Sequence, residues 1–225
     1  MAINRVINET FTFLTELKTN NNRPWFDTHK DAYEKANDAT KTLFQEISDQ
    51  LKQTDFIDYV KVYRIYRDVR FSKDKTPYKT HFGGVFHRVK PEYRGGYYLH
   101  IEPGNTFVAG GFWQPSPEDL LRIRKEFEAD ASGIKEIVGN PEFQSVFGGL
   151  VGQSLKTAPK GFDKNHPNID FIRWKQFVVE HHFDDKQALS EDFSTKVVEV
   201  FQKLRPFFDY MSEILTTDLN GEPLY

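Results

Sequence analysis

Apolar residues recur at steps of three and four positions in several stretches of the chain, and this spacing places them on one face of a helix. The longest such stretch covers residues 24–51 and predicts a helix of roughly seven turns. A shorter helix is predicted over residues 10–17. At Ser116 a hydroxyl cap precedes a proline and two acidic residues, which predicts the start of another helix. A last long helix is predicted over residues 190–215, with a kink at Pro206.

Valine, isoleucine and aromatic residues are concentrated in short segments that are typical of strands. These segments are residues 58–66, 81–87, 96–102, 106–113 and 177–183. The sequence EPGN at residues 102–105 has turn chemistry and predicts a hairpin between the third and fourth segments. Connections this short require antiparallel neighbours, because parallel strands need long crossovers. With no linker or internal repeat, residues 1–225 are predicted to form a single α+β domain, a mainly antiparallel sheet packed by helices from both ends of the chain.

Composition narrows the class of protein. The 225 residues are 38% hydrophobic and 15% aromatic, which is typical of a globular chain. No segment approaches the roughly 18 consecutive apolar residues of a membrane span, and the N-terminus lacks the apolar core of a signal peptide. The absence of cysteine excludes disulfides, thiolate zinc sites and a cysteine nucleophile. The sequence therefore predicts a soluble, cytoplasmic protein without a membrane partner.

A cluster of cations stands out against the net charge of −3. Residues 67–84 hold five lysine and arginine residues but only two acids, so we expect the surplus to require a distant acid or a bound anion. Arginine suits this task because its planar guanidinium meets two oxygens at once. The predicted ligand-binding residues are Arg64, Arg67, Arg70, Lys73, Lys75, Tyr78 and Lys79, with Arg23 and Lys160 as further contributors from a helix start and from a loop.

The run from Arg64 to His81, RIYRDVRFSKDKTPYKTH, is called the basic motif below. It closely resembles the signature of the domain of unknown function 2461 family. Further stretches within residues 13–33, 97–120 and 155–167 also resemble that family. The resemblance implies a single α+β unit that occurs as a stand-alone protein, and it implies no particular activity.

The leading functional prediction is a binding site at the basic motif for an anionic, phosphate-bearing small molecule or a nucleotide. Tyr78 and His81 are predicted to orient this ligand. If the site is catalytic, then Asp68, Asp74 and His81 are the candidate acids and bases, and Asp163 or His166 could serve from the loop at 158–167. The sequence does not decide whether the protein is an enzyme, and it leaves the oligomeric state open.

Two other functions fit the same residues. In a nucleic-acid-binding module, the cations would follow a backbone while aromatic rings stack on bases. The candidate rings are Trp25, Tyr66, Phe71 and Tyr78. The acidic overall charge makes this the less favoured partner. In a scaffold or interaction protein, the motif would be only an ion-pair network that holds a long turn.

Metal and cofactor motifs are weak. Adjacent His181 and His182 lie on opposite faces of a predicted strand, so they cannot readily bind one ion. His87, His100 and His182 could meet across strands near Glu102 or Asp184, but nothing in the sequence fixes that register. Phosphate-loop and nucleophile-elbow motifs are absent from the sequence. The sequence therefore predicts no metal site and no cofactor.

Overall fold

The computed structural model describes residues 2–224, with side chains from residue 8 onward. None of the described helices is both long and apolar enough to cross a membrane. The helices are α1 (Ala2–Thr19), α2 (Arg23–Thr28), α3 (Lys30–Leu51), α4 (Pro117–Ala129), α5 (Ser132–Gly139), α6 (Pro141–Phe147), α7 (Ile169–Ile172), α8 (Asp185–Ala188), α9 (Phe193–Gln202) and α10 (Arg205–Thr216). The strands are β1 (Ile57–Val62), β2 (Phe82–Arg88), β3 (Gly96–Ile101), β4 (Thr106–Phe112) and β5 (Phe177–Phe183).

The strands form one antiparallel sheet in the order β1-β2-β3-β4-β5, so each strand pairs with its neighbours in sequence. Helices from both ends of the chain pack on it: α3 contacts β1, and Phe193 of α9 meets Phe183 of β5 edge-on at 5.3 Å. The predicted α+β class is confirmed.

The predicted hairpin between β3 and β4 is also confirmed. The Asn105 N–H donates to the Glu102 carbonyl oxygen at 2.9 Å, which closes a four-residue turn. Pro103 holds the second position, and Gly104 holds the third with φ +79°, as a type II turn requires. This tight turn fixes the position of Glu102 at the end of β3.

The chain forms two compact units. The first contains Met1–Phe86, Tyr98–Val108 and His182–Glu199, and the second contains His87–Tyr97, Ala109–His181 and Val200–Tyr225. Strands β2 to β5 each have residues in both units. The single-domain organisation stays a prediction.

The core of the first unit is rich in stacked aromatic rings. Helix α1 packs against α3, and α3 packs against β1. Phe44 of α3 stacks on Phe86 of β2 with ring centroids 5.2 Å apart, and both side chains are fully buried. Phe82 is buried on the same face of β2, because alternate residues of a strand share a face. The opposite face of β2 therefore carries Gly83 and Val85.

The second unit is built around α10. This helix contacts α4 and α5, and its Phe208 meets Tyr97 of β3 edge-on at 4.8 Å. The side chain of Arg88 is fully buried here: its guanidinium donates to the Arg94 carbonyl at 2.8 Å and lies 3.5 Å from the Asp209 carboxylate. These partners offset the cost of burying the charge.

The helix predicted over residues 24–51 is in fact two helices. Asn22 caps α2 by accepting from the Trp25 N–H at 3.0 Å, and α2 ends at Thr28. The break follows from His29, whose Nδ1 lies 2.8 Å from the Trp25 carbonyl while its ring stacks on the Trp25 indole at 4.0 Å. The His29 N–H donates to the Phe26 carbonyl, three residues back, instead of the fourth.

The last predicted helix is likewise interrupted, at a position close to the expected kink. Helix α9 ends at Gln202 and α10 begins at Arg205. Pro206 lacks the N–H that would bond to the Gln202 carbonyl, so it fits in the first turn of a new helix. The start of α4 at Pro117, with Ser116 accepting from the Asp119 N–H at 3.0 Å, agrees with the prediction.

Strand β1 ends four residues before the predicted boundary at residue 66. The Tyr63 N–H still donates to the Gly83 carbonyl at 2.8 Å, and beyond it the chain pairs with the returning part of the basic motif. The Lys79 N–H donates to the Ile65 carbonyl at 2.8 Å, and the Arg67 N–H donates to the Pro77 carbonyl at 2.9 Å. Arg64 and Arg67 therefore lie beyond the end of the strand.

Candidate functional site

Strand β3 and the residue that follows it present three ionisable side chains on one side. Tyr98, His100 and Glu102 occupy alternate positions, while Leu99 and Ile101 between them are buried on the opposite face. The side chain of His100 is 9% exposed and that of Glu102 is 16% exposed. Such burial of polar groups is costly unless each one has a partner. These three residues and His81 are called the polar centre below.

Tyr98, His100 and Glu102 form a hydrogen-bonded line. His100 Nε2 lies 3.2 Å from Glu102 Oε2, and His100 Nδ1 lies 3.0 Å from the Tyr98 hydroxyl. An ionised carboxylate only accepts, so the imidazole donates from Nε2 to Glu102. In the neutral ring Nδ1 then accepts from the Tyr98 hydroxyl. The imidazole of His100 can therefore exchange a proton with Tyr98 through Nδ1 or with Glu102 through Nε2.

The turn after β3 holds the Glu102 carboxylate in place. The Thr80 hydroxyl donates to Glu102 Oε1 at 3.0 Å, and the Asn105 amide donates to Oε2 at 3.4 Å. The Thr106 hydroxyl bonds the Glu102 backbone, accepting from its N–H at 3.3 Å and donating to its carbonyl at 3.0 Å. Both oxygens of the carboxylate are thus oriented by neighbours.

His81 reaches the same place from the residue before β2. Its ring centroid is 4.2 Å from that of His100, and His100 stacks in turn on Phe107 of β4 at 4.6 Å. One ring nitrogen from each histidine and one Glu102 oxygen all lie within 4.8 Å of one another. Two imidazoles and a carboxylate therefore converge on one point.

Gly83 leaves the space that the Tyr98 side chain needs. A Cβ atom at residue 83 would lie 2.6 Å from the Tyr98 hydroxyl oxygen, closer than any normal contact. Any side chain there would push the hydroxyl away from His100.

Burial keeps both imidazoles of the polar centre neutral. The pKa of His81 is lowered to about 4, first by burial and then by the neighbouring His100, against the opposing effect of Glu102. Burial also lowers the pKa of His100, although the hydrogen bond and charge of Glu102 oppose this shift. A neutral imidazole can accept a hydrogen bond or bind a metal ion.

The two oxygen acids of the centre have well-separated pKa values. Burial raises the pKa of Glu102, but the hydrogen bonds from His100, Thr80 and Asn105 outweigh burial and the pKa is lowered. The pKa of Tyr98 is raised to about 12 by burial and by the nearby Tyr63 and Glu102. At neutral pH the centre therefore holds a carboxylate and a phenol, one acceptor and one donor.

Lys79 and Arg64 form a cationic edge beside the polar centre. Lys79 Nζ donates to the Arg64 carbonyl at 3.0 Å and lies 5.6 Å from the centroid of the Tyr63 ring. Burial and the Arg64 charge lower the pKa of Lys79, and Lys79 in turn lowers that of His81. One predicted anion ligand, Lys79, thus lies near His81, and a second, Arg64, lies near Lys79.

Other cations of the basic motif are held by the motif itself. The Arg67 guanidinium pairs with Asp74 at 2.5 Å and also donates to the Thr76 hydroxyl. Arg70 makes a two-pronged pair with Asp68 at 2.7 and 2.9 Å. These contacts match the ion-pair network considered as an alternative, and they turn Asp68 and Asp74 toward guanidinium groups.

Backbone carbonyls take up a further charge. Lys75 Nζ donates to the carbonyls of Val69 at 2.9 Å and Arg70 at 3.4 Å. Among the described residues, the exposed side chains of Arg64 and Lys73 have no ion-pair partner. Among the predicted ligands, Arg67, Arg70 and Lys75 thus have partners within the motif, whereas the described residues offer Arg64 and Lys73 no ion-pair partner.

The remaining predicted ligands lie in different settings. Tyr78 is 5% exposed and its ring stacks on Phe26 at 3.9 Å, so it packs in the core of the first unit. Arg23 is exposed at the start of α2. Burial raises the pKa of Tyr78, and the Arg23 charge opposes that shift. Lys160 is exposed in the second unit. Asp163 accepts from the Asn165 N–H of its own loop.

We expect the Arg67–Asp74 pair to persist far into the acid range. The pKa of Asp74 is lowered to about 2, first by the Thr76 N–H and then by the Arg67 guanidinium and the Thr76 hydroxyl. Because the folded pKa is depressed, the contribution of the charged form is complete above the ordinary pKa of about 3.9 and is lost as the pH falls through about 2. Carboxyl ¹³C shifts followed against pH check this, and an Asp74 midpoint near 4 would contradict the pairing.

Sequence reasoning missed Tyr98 and Thr80 and did not assemble the centre. A signal was present, since Tyr98, His100 and Glu102 alternate with leucine and isoleucine in a predicted strand. His81 was predicted as part of the basic motif. Its meeting with His100 depends on the register of β2 against β3, which the sequence does not fix.

Comparison with known proteins gives a family. Residues 9–210 match the family described as conserved hypothetical protein (DUF2461). The chain belongs to this family. The residues that form the polar centre and the basic motif all lie inside the matched range. No curated protein and no solved structure matches the chain.

Proposed function

We propose that the polar centre and its cationic edge bind an anionic small molecule that carries a phosphate group. The observation that carries the proposal is the environment of Lys79. Among the described residues its ammonium has one hydrogen-bond acceptor, the Arg64 carbonyl, which leaves two of its three N–H groups for a ligand or water. Arg64, which has no ion-pair partner among the described residues, adds a guanidinium whose charge lowers the pKa of Lys79. A phosphate group would satisfy both cations.

This proposal narrows the ligand set of the basic motif. Arg67 and Arg70 already face carboxylates, and Lys75 already binds carbonyls, so their role is to shape the loop. Removing them would weaken the turn that delivers Lys79 and His81. Direct contact with the ligand falls to Arg64, Lys79 and His81.

The polar centre supplies proton-transfer chemistry if the ligand is a substrate. His81 and His100 are neutral, so His81 can accept a proton from water or a ligand hydroxyl directly, and His100 can accept one through the Tyr98 hydroxyl that donates to its Nδ1. Glu102 would stabilise the imidazolium that forms at His100, since the two are 3.2 Å apart. Tyr98 can donate to a developing negative charge. His81 stays a candidate acid or base, whereas Asp68 and Asp74 are engaged with arginines.

Nucleic acid is the second candidate, and one exposed ring favours it. Phe71 is 95% exposed with the Arg70 guanidinium 6.0 Å from its centroid, as a base-stacking side chain would be. Tyr66 is 44% exposed. Tyr78 is buried and Trp25 is stacked on a histidine, so these two rings are occupied.

A calorimetric titration with inorganic phosphate, nucleotides and sugar phosphates tests the proposal. We expect one class to bind, and Lys79→Gln to weaken it at least about tenfold, because a charge-assisted hydrogen bond is lost. Lys73→Gln is the matched control, since Lys73 is an exposed lysine of the same motif without an ion-pair partner in the described residues. Circular dichroism confirms that both variants fold.

The same titrations separate the candidates. Equal binding by wild type and Lys79→Gln would contradict the small-ligand site. Binding only to oligonucleotides, lost in Phe71→Ala and falling steeply with salt, would favour the nucleic-acid module.

A further inference from the structure

We infer that His81, His100 and Glu102 bind a divalent first-row transition-metal ion of the Zn²⁺ class. Two imidazole nitrogens and a carboxylate oxygen within 4.8 Å of one another form the donor set. Nitrogen-rich donors favour Zn²⁺, Fe²⁺ or Co²⁺ over Mg²⁺ and Ca²⁺, which prefer oxygen. Three protein ligands leave at least one coordination position open for water or a ligand.

The donor spacing is close to that of a metal site. Two donors each about 2.1 Å from one ion are about 3.4 Å apart at a tetrahedral angle. His100 Nε2 and Glu102 Oε2 are already 3.2 Å apart. The remaining adjustment falls on His81, which is less buried than His100.

Neighbouring groups orient the donors as they do around bound metals. A ligating imidazole usually donates its other N–H to a fixed acceptor, and the Tyr98 hydroxyl lies 3.0 Å from His100 Nδ1 in that position. The Thr80 hydroxyl holds Glu102 Oε1 at 3.0 Å, while Oε2, which accepts from the Asn105 amide at 3.4 Å, faces the His100 Nε2 whose proton the ion would replace. These partners distinguish the cluster from a chance meeting of histidines.

Metal binding would reverse the hydrogen bonds of His100. Without an ion, the Nε2–H donates to Glu102 and Nδ1 accepts from Tyr98. With an ion on Nε2, the single ring proton moves to Nδ1 and donates to the Tyr98 oxygen, which can accept as well as donate. Tyr98 therefore serves both states and acts as a positioning residue.

The inference goes beyond the proposed function and does not depend on it, because metal binding is measured without any anionic ligand. An ion at this place would add positive charge beside Lys79 and strengthen phosphate binding. Phosphate binding is measured in the presence of chelator, and metal binding is measured without phosphate. A negative result in one measurement therefore contradicts one proposal and leaves the other standing.

The test starts from full-length protein stripped with chelator and titrated with Zn²⁺ and, for its visible absorption, Co²⁺. We expect one ion per chain. Glu102→Gln and His81→Gln are expected to weaken Zn²⁺ binding by more than about 100-fold, and Tyr98→Phe by about 10–100-fold. The control is His166→Gln, a histidine of similar exposure in the other unit. It should bind Zn²⁺ as the wild type does.

Each result decides the proposal. Wild-type protein that binds less than about one-tenth of an equivalent overturns it, as does undiminished binding by folded Glu102→Gln and His81→Gln. If a variant does not fold, the alternative measurement is a Zn²⁺ titration of wild-type protein in which the ¹⁵N chemical shifts of the histidine rings are followed by NMR. Stoichiometric shifts at His81 and His100 support the site, and shifts confined to other histidines overturn it.

Discussion

Tyr78→Ala is expected to destabilise the fold by about 3–5 kcal/mol, the usual cost of deleting a buried aromatic ring. The ring is 5% exposed, stacks on Phe26 at 3.9 Å and lies 5.5 Å from the Tyr66 ring. The side-chain amide of Asn21 also brackets the Tyr78 backbone, accepting from its N–H at 3.1 Å and donating to its carbonyl at 2.9 Å. Urea denaturation monitored by circular dichroism measures the change.

Two variants show whether this loss reflects packing. Tyr78→Phe keeps the stacked ring, so we expect it to stay within about 1 kcal/mol of wild type and to bind phosphate normally. Phe71→Ala removes a ring that is 95% exposed, and a change within about 0.5 kcal/mol is expected. Weakened phosphate binding by stable Tyr78→Phe would instead restore Tyr78 as a ligand-orienting residue.

Alanine substitutions at the two adjacent glycines of β2 are expected to have different effects. At Gly84 a Cβ would lie 2.6 Å from the Lys61 carbonyl oxygen and 2.7 Å from the Phe44 ring, so β1 and α3 would have to move. We expect Gly84→Ala to lose about 1–3 kcal/mol of unfolding free energy. Gly139→Ala is the control, since its Cβ would meet no atom within 4 Å.

Gly83→Ala should instead affect the polar centre. Its Cβ would meet the end of the Tyr98 side chain, which can swing away at lower cost than a backbone. We expect stability close to wild type, loss of the Tyr98–His100 hydrogen bond and weaker Zn²⁺ binding. Urea denaturation measures both variants. Equal destabilisation by Gly83→Ala and Gly84→Ala would contradict the expectation that only Gly84 lies against atoms that cannot move away easily.

The strands were predictable because their pattern is local. Valine, isoleucine and aromatic residues defined β2 to β5 to within one residue at each end, and EPGN defined the turn after β3. The break at His29 was not predictable, because it depends on a side chain that takes the Trp25 carbonyl. The early end of β1 depends on pairing with residues 77–79, about twelve positions further along the chain.

Charge counting left out some of the partners that the cations of the basic motif have in the structure. The count compared lysine and arginine with aspartate and omitted backbone carbonyls, which accept from Lys75 and Lys79. It also could not show that Arg67 and Arg70 each face a carboxylate of the same loop. Pairing within eighteen residues thus neutralises much of the surplus, and among the described residues Arg64 and Lys73 stay without an ion-pair partner while Lys79 bonds one carbonyl.

The measurement that tests the central claim most directly is an inorganic phosphate titration of ¹⁵N-labelled protein, followed through its backbone amide shifts. If the polar centre and its cationic edge form the ligand site, the saturable shifts lie at Lys79, His81 and Glu102. Residues 68–75 then change little, because Arg70 is held by Asp68 and Lys75 by backbone carbonyls, while the ligand lies at Lys79 and His81. Shifts confined to residues 68–75, or none that saturate, would contradict the account.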